Sequence, residues 1–166
     1  MAQLRTLSPA AVPRAMDRAD QYRLRNEPEG AESICLDVLE VEPENQRALI
    51  LLLLARTDQF EQAGARALDR ARKILPRLEG QYERAYYAGV ICERQALTML
   101  KRRGRRSGVA AYEWFQRALE HYDDAIAEGP AGDESAILRW NTCVRMIDRH
   151  PHCVPDSTEH PELGIE

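Results

Sequence analysis

From residue 10 onward, apolar positions recur at spacings of three and four, interrupted by prolines and short polar stretches, which is the period of amphipathic helices. The pattern predicts seven helices, over residues 10–26, 28–41, 45–57, 59–75, 78–103, 108–128 and 133–149. Ala, Leu, Arg and Glu dominate these segments, and they are strong helix formers. Sustained alternation of apolar and polar residues is absent, as are Asn-Gly or Asp-Gly turns between such runs, so strands are not expected. The expected fold class is all-α.

Punctuation supports the boundaries. Pro28 suits a first helical turn, Asn45 can cap the helix that follows it, and Asp58 with Glu61 three residues on has the form of a capping box. Ser107 and Asp133 are candidate caps for later helices. Pro43, Pro76 and Pro130 each end a helical pattern, because proline lacks the amide a helix interior needs. From Pro151 the chain reads PHCVPDSTEHPELGIE, with three prolines and few large apolar residues. The expected organisation is one helical domain over residues 1–149 and a flexible tail over 150–166.

The segments before the three proline stops share a frame. Residues twelve, eight and five positions earlier are Ala31, Cys35 and Val38 before Pro43, then Gly64, Leu68 and Ala71 before Pro76, then Ala118, Tyr122 and Ala125 before Pro130. Small, larger, small is what a helix packed closely between neighbours requires: backbones approach at the small residues, and one knob fills the space between them. This pattern resembles the second helix of a tetratricopeptide repeat. Ala15, Ala19 and Tyr22 fit the first helix of one such unit, and Ala48, Leu51, Leu52 and Ala55 fit the next. Pro43 to Pro76 is 33 residues, close to the family period of about 34. Pro76 to Pro130 is 54 residues, so the third unit, with Gly89, Ala85 and Cys92 in its first helix, must have longer helices or a larger loop around residues 101–108.

The resemblance implies a right-handed α-α superhelix of about three helix pairs, closed by a capping helix at 133–149 against which Trp140 packs. In such arrays the first helices line a concave face that binds polypeptide. The register places Met16, Asp20 and Arg23, then Leu49, Leu53 and Arg56, then Tyr86, Val90 and Arg94, then Ile137, Asn141 and Arg145 on that face. One arginine per layer, beside apolar side chains and an asparagine amide, suits an extended acidic or carboxyl-terminal segment. The same arginines can instead pair with carboxylates of neighbouring helices. Met16 and Asp20 stand where chaperone-tail clamps of this family carry lysine and asparagine, so a heat-shock chaperone is not the expected partner.

Composition narrows the picture further. With 166 residues, 44% hydrophobic and 30% charged, the chain can bury a core without disulfides or metals. A net charge of −4 argues against a dedicated nucleic-acid binder. No signal-peptide pattern opens the chain and the longest apolar run, residues 48–55, is too short to span a bilayer, which gives a cytoplasmic expectation. Cys143, His150, His152, Cys153 and His160 are zinc-type ligands, but Cys143 shares an apolar helix face with Trp140 and Ile147, so a structural cysteine is the expectation and no metal or cofactor is assigned. GxxxxGK[ST], GxGxxG, GxSxG and HExxH are all missing, and the acidic residues read as solvating charges, so an enzyme is not expected.

A separate feature is the basic run Lys101, Arg102, Arg103, Arg105 and Arg106. It could contact phosphates, an acidic partner or an anionic membrane, or simply be a solvated hairpin whose cations suit the end of the preceding helix. The leading expectation is a protein-binding adaptor or scaffold. The alternatives are a self-associating protein whose end helices pair in a homodimer, and a repeat contacting nucleic acid or phosphate through residues 101–106.

Overall fold

The computed structural model describes residues 3–102 and 104–155. Among these the chain is all-helical: α1 Val12–Leu24, α2 Pro28–Val41, α3 Gln46–Thr57, α4 Phe60–Arg72, α5 Gln81–Lys101, α6 Arg105–Glu128 and α7 Ser135–Arg149. Short 3-10 turns at Pro9–Ala11, Leu75–Arg77 and Pro151–Cys153 complete the order.

Local chemistry sets the helix ends. Asn26, with φ of 61°, terminates α1: its own amide donates to Arg23 O at 3.0 Å and the Glu27 amide reaches Tyr22 O at 2.9 Å, the paired bonds of a Schellman motif. Pro28 then occupies the first turn of α2. Asn45 Oδ1 accepts the Ala48 amide at 2.9 Å and so caps α3, as its position predicts. Asp133 Oδ1 accepts the Ser135 amide at 2.9 Å at the start of α7. Ser107 instead lies within α6, which begins two residues earlier behind Gly104.

The helices form a sequential stack in which each packs on its successor, and α1, α3 and α5 also touch in series. α3 is largely apolar and mostly buried: Leu49, Leu51, Leu52 and Leu53 are at most 5% exposed, while Arg47 reaches solvent and Ile50 and Leu54 beside it are half-buried. One core gathers α1 to α4 with Leu78 and Ile91. A second gathers Val90, Ala96, Phe115, Ala118, Tyr122 and Cys143 from α5, α6 and α7.

The longer stretch between Pro76 and Pro130 goes into longer helices, for α5 has 21 residues and α6 has 24, while α1 to α4 have 12 to 14. Gly89 in α5 makes room for the Tyr122 ring of α6: a Cβ there would stand 2.5 Å from that ring.

Two expectations change. In the frame before Pro76, Gly64 does not pack but breaks α4, with φ of 54° and ψ of −135°, and Ala67 and Ala71 are the small residues that bury. Within the segment expected to be a flexible tail, Pro151–Cys153 seats on α6 with Cys153 buried against Gly108, whose missing side chain leaves room for the sulfur. Residues 156–166 lie outside the described residues.

Candidate binding groove

A groove of about 520 Å³ opens where the carboxyl ends of α1, α3, α5 and α7 meet the first turn of α4. Its apolar surface comes from Leu97, Leu100 and Met146, and its polar rim from Asn26, Asp58, Glu61, Arg94, Lys101 and His150. Arg94, Leu97, Thr98 and Lys101 follow the i, i+3, i+4, i+7 spacing that puts them on one face of α5.

Most of the charge here is committed to holding helices together. Asp58, just beyond α3, accepts Arg23 Nε from α1 at 2.6 Å and Arg94 Nη1 from α5 at 3.1 Å. Its role is therefore an inter-helix tie, and the Asp58–Glu61 capping box does not form; no side chain caps α4. Glu61 instead pairs with Lys101 across the mouth of the groove.

A second hub lies on Glu32 of α2, which is 7% exposed. It accepts Arg56 Nε at 3.1 Å, Gln59 Nε2 at 2.8 Å and Arg70. A third joins the longer helices: Glu93, 4% exposed, accepts the Tyr122 hydroxyl at 2.6 Å and Arg139 Nη1 at 3.0 Å. Burial and the Glu93 charge push the Tyr122 hydroxyl far above its ordinary range. Burial opposes the charge of Arg139, but Glu93, Tyr86 and Tyr122 together more than offset it, so the guanidinium titrates above its usual value.

The residues expected to line one concave face therefore separate. Leu49 and Leu53, both 0% exposed, are core residues that no partner reaches, because they lie on the faces of α3 that pack against its neighbours. Arg23 and Arg94 converge on Asp58, whereas Arg56 is drawn to Glu32 and also donates to Arg70 O at 2.9 Å. Tyr86 joins an aromatic cluster with Tyr82, Tyr87 and Tyr122, at ring-centroid distances of 5.7, 5.1 and 6.0 Å. It borders a smaller hollow of about 290 Å³ with Arg139 and Leu138. Asn141 is half-buried and Arg145 is exposed.

In the basic run, Lys101 makes the Glu61 pair, Arg102, Arg105 and Arg106 are exposed, and Arg103 lies outside the described residues. The zinc-type ligands divide as well. Cys143 is buried in the second core, His150 Nδ1 lies 2.8 Å from Met146 O, Cys153 packs on Gly108, and His160 lies outside the described residues. Among the described residues no three His, Cys, Asp or Glu side chains gather as a metal group. Burial pushes the Cys35 and Cys143 thiols up to about 12 and Cys92 to about 11, which makes them poor nucleophiles at neutral pH.

Sequence reasoning missed Asp58, Glu61, Leu97, Leu100, Met146 and His150 as groove residues. The spacing from Arg94 along α5 was a usable signal for Leu97; nothing local marks Met146 or His150. Among the described residues, no helix is long and apolar enough to cross a membrane. No protein-family model, curated protein or solved structure matches the chain.

Proposed function

We propose that the chain is a polypeptide-binding module of tetratricopeptide-like architecture, acting as an adaptor or scaffold that seats an extended segment in the groove between α1, α3, α5 and α7. The observation that carries this reading is the groove itself: four separate helices contribute to one channel with an apolar floor and a polar rim. Such a lining suits a peptide, whose side chains find Leu97, Leu100 and Met146 while its backbone amides and carbonyls meet Asn26, Arg94 and His150. The series of contacts α1 to α3 to α5 supports the architecture, since stacked helix pairs with touching first helices build an extended surface.

The arginine row contributes less than its spacing implies. Arg23 and Arg94 share the Asp58 carboxylate, so a carboxylate on a bound segment would have to compete with Asp58 for Arg94. Photo-activated cross-linkers placed at Lys101 and at Met146 test the reading, with exposed Asp37 on α2 as control. The expected result is one shared polypeptide adduct from both groove positions and none from position 37. Adducts that are indistinguishable among the three positions would remove the groove from consideration.

A further inference from the structure

Away from the groove, two adjacent helices carry opposite charge. α2 holds Glu29, Glu32, Asp37 and Glu40 and no cation, whereas residues 66–77 hold Arg66, Arg70, Arg72, Lys73 and Arg77 against Asp69 alone. Glu32 pairs with Arg70 and so ties the two helices side by side, and Lys73 is answered by Asp69 at 3.0 Å. Glu29, Glu40, Arg66 and Arg77 are exposed and form no ion pair among the described residues. Arg77 donates to Pro43 O at 2.5 Å, a neutral acceptor that leaves its charge uncompensated. Between the two sides lies a hollow of about 310 Å³ floored by Leu39, Leu52 and Ile74. Leu36, 46% exposed, and Glu40 stand on its α2 side, with Lys73 and Arg77 opposite, where the chain leaves α4.

We infer that this face pairs with the same face of a second copy of the chain, giving a two-fold dimer. A two-fold axis running along the hollow lays the α2 side of each copy over the α4 side of the other, so that Glu40 of one copy meets Arg77 of the other at two equivalent contacts. Leu36 from both copies then closes over the apolar floor and leaves water. A partner of one sign, such as an acidic peptide or a nucleic acid, gains from Arg77 and is repelled by Glu40 across the same hollow. The face is its own complement, because it presents an acidic side, an apolar middle and a basic side in that order. Asp37 borders the hollow on the other flank of α2 and stays outside the contact. The groove shares no lining residue with this face among the described residues, so the dimer leaves it open.

The test is the mass of the pure full chain by sedimentation equilibrium over a range of concentrations. A dimer that dissociates on dilution and weakens as salt rises is expected. Glu40→Arg sets cation against cation at both contacts and Arg77→Glu sets carboxylate against carboxylate, so each variant alone should associate about tenfold or more weakly. Mixed in equal amounts, the two variants again place a cation opposite a carboxylate at both contacts. The mixture should therefore form a mixed dimer of near wild-type affinity, a repair that no fold defect within either chain could produce. Leu36→Ser should weaken the dimer as well, whereas Leu138→Ser, at an exposed position of α7, should leave it unchanged.

A monomer at every concentration overturns the inference, and so does a mixture of the two charge variants that fails to associate. Association lost in Leu138→Ser and kept in Leu36→Ser overturns it in favour of pairing through the end helix. Because the readout is self-association of the chain alone, it stands or falls independently of whether a polypeptide occupies the groove.

Discussion

The two halves of the molecule solve the same packing problem with different materials. In α1 to α4 the interior is largely aliphatic, built from Met16, Val38, Leu49, Leu52 and Leu53 with the single ring of Phe60, and charged hubs on Glu32 and Asp58 tie the helices around it. In α5 to α7 the interior holds Phe115 and Tyr122, and a carboxylate, Glu93, is buried among them. Short helices with small residues at the crossings close mainly on aliphatic contact, with Glu32 and Asp58 adding polar ties between neighbours. The longer pair α5 and α6 is instead fixed by a chain of specific contacts. The Tyr122 ring lies over Gly89, its hydroxyl donates to Glu93, and Glu93 holds Arg139 of α7. Three helices meet through that one carboxylate.

The largest expected loss is in the aliphatic half. Leu53→Ala removes a side chain with no exposed surface and no room for neighbours to collapse, at a cost of about 4 kcal/mol in urea unfolding. Glu93→Ala follows at about 3 kcal/mol, since it strands the Tyr122 hydroxyl and leaves Arg139, itself one-third exposed, short of its partner. If the halves are energetically separate, the double variant should lose the sum of the two to within about 0.5 kcal/mol. A larger departure would merge them into one cooperative network and erase the distinction.

Two glycines, one in each half, sharpen the contrast. Gly89→Ala is expected to cost about 2 kcal/mol, because the new methyl meets the Tyr122 ring and that ring is pinned by Glu93. Gly64→Ala has open space around it, with nothing within 4 Å, and its cost of about 1 kcal/mol is purely conformational, from a φ of 54°. Adding Tyr122→Phe, which frees the ring from Glu93, should soften the Gly89→Ala penalty and leave the Gly64→Ala penalty as it was. Equal responses in chemical denaturation would mean that the Tyr122 contact does not set the α5–α6 spacing.

The helices were legible because their cues are local. Apolar spacing, Asn45, Pro28 and the proline stops act over a few residues, and the frames Ala31, Cys35, Val38 and Ala118, Tyr122, Ala125 bury completely. The middle frame failed at Gly64, where a residue small enough to pack is also free enough to break the helix. The groove was harder to see. Asp58 has the local form of a capping residue, yet its partners Arg23 and Arg94 are 35 and 36 residues away. Likewise Lys101 reads as one cation of a run, while its carboxylate, Glu61, is 40 residues distant. Periodicity says which face a side chain occupies. It does not say which of several carboxylates on the neighbouring helices that side chain will reach.

The smallest effects separate arginines that periodicity treated alike. Arg94 is half-buried and ties α5 to Asp58, so Arg94→Gln should cost about 1 kcal/mol, the upper end for a pair with this much solvent around it. Arg145 is exposed on α7 and makes no ion pair among the described residues, so Arg145→Gln should change stability by less than about 0.5 kcal/mol. Thermal unfolding of the two variants side by side checks this. A cost at Arg145 matching that at Arg94 would show that α7 is tied to the stack through its outer face as well as through Arg139. The contrast between an aliphatic half and a carboxylate-centred half would then have to include a second polar tie.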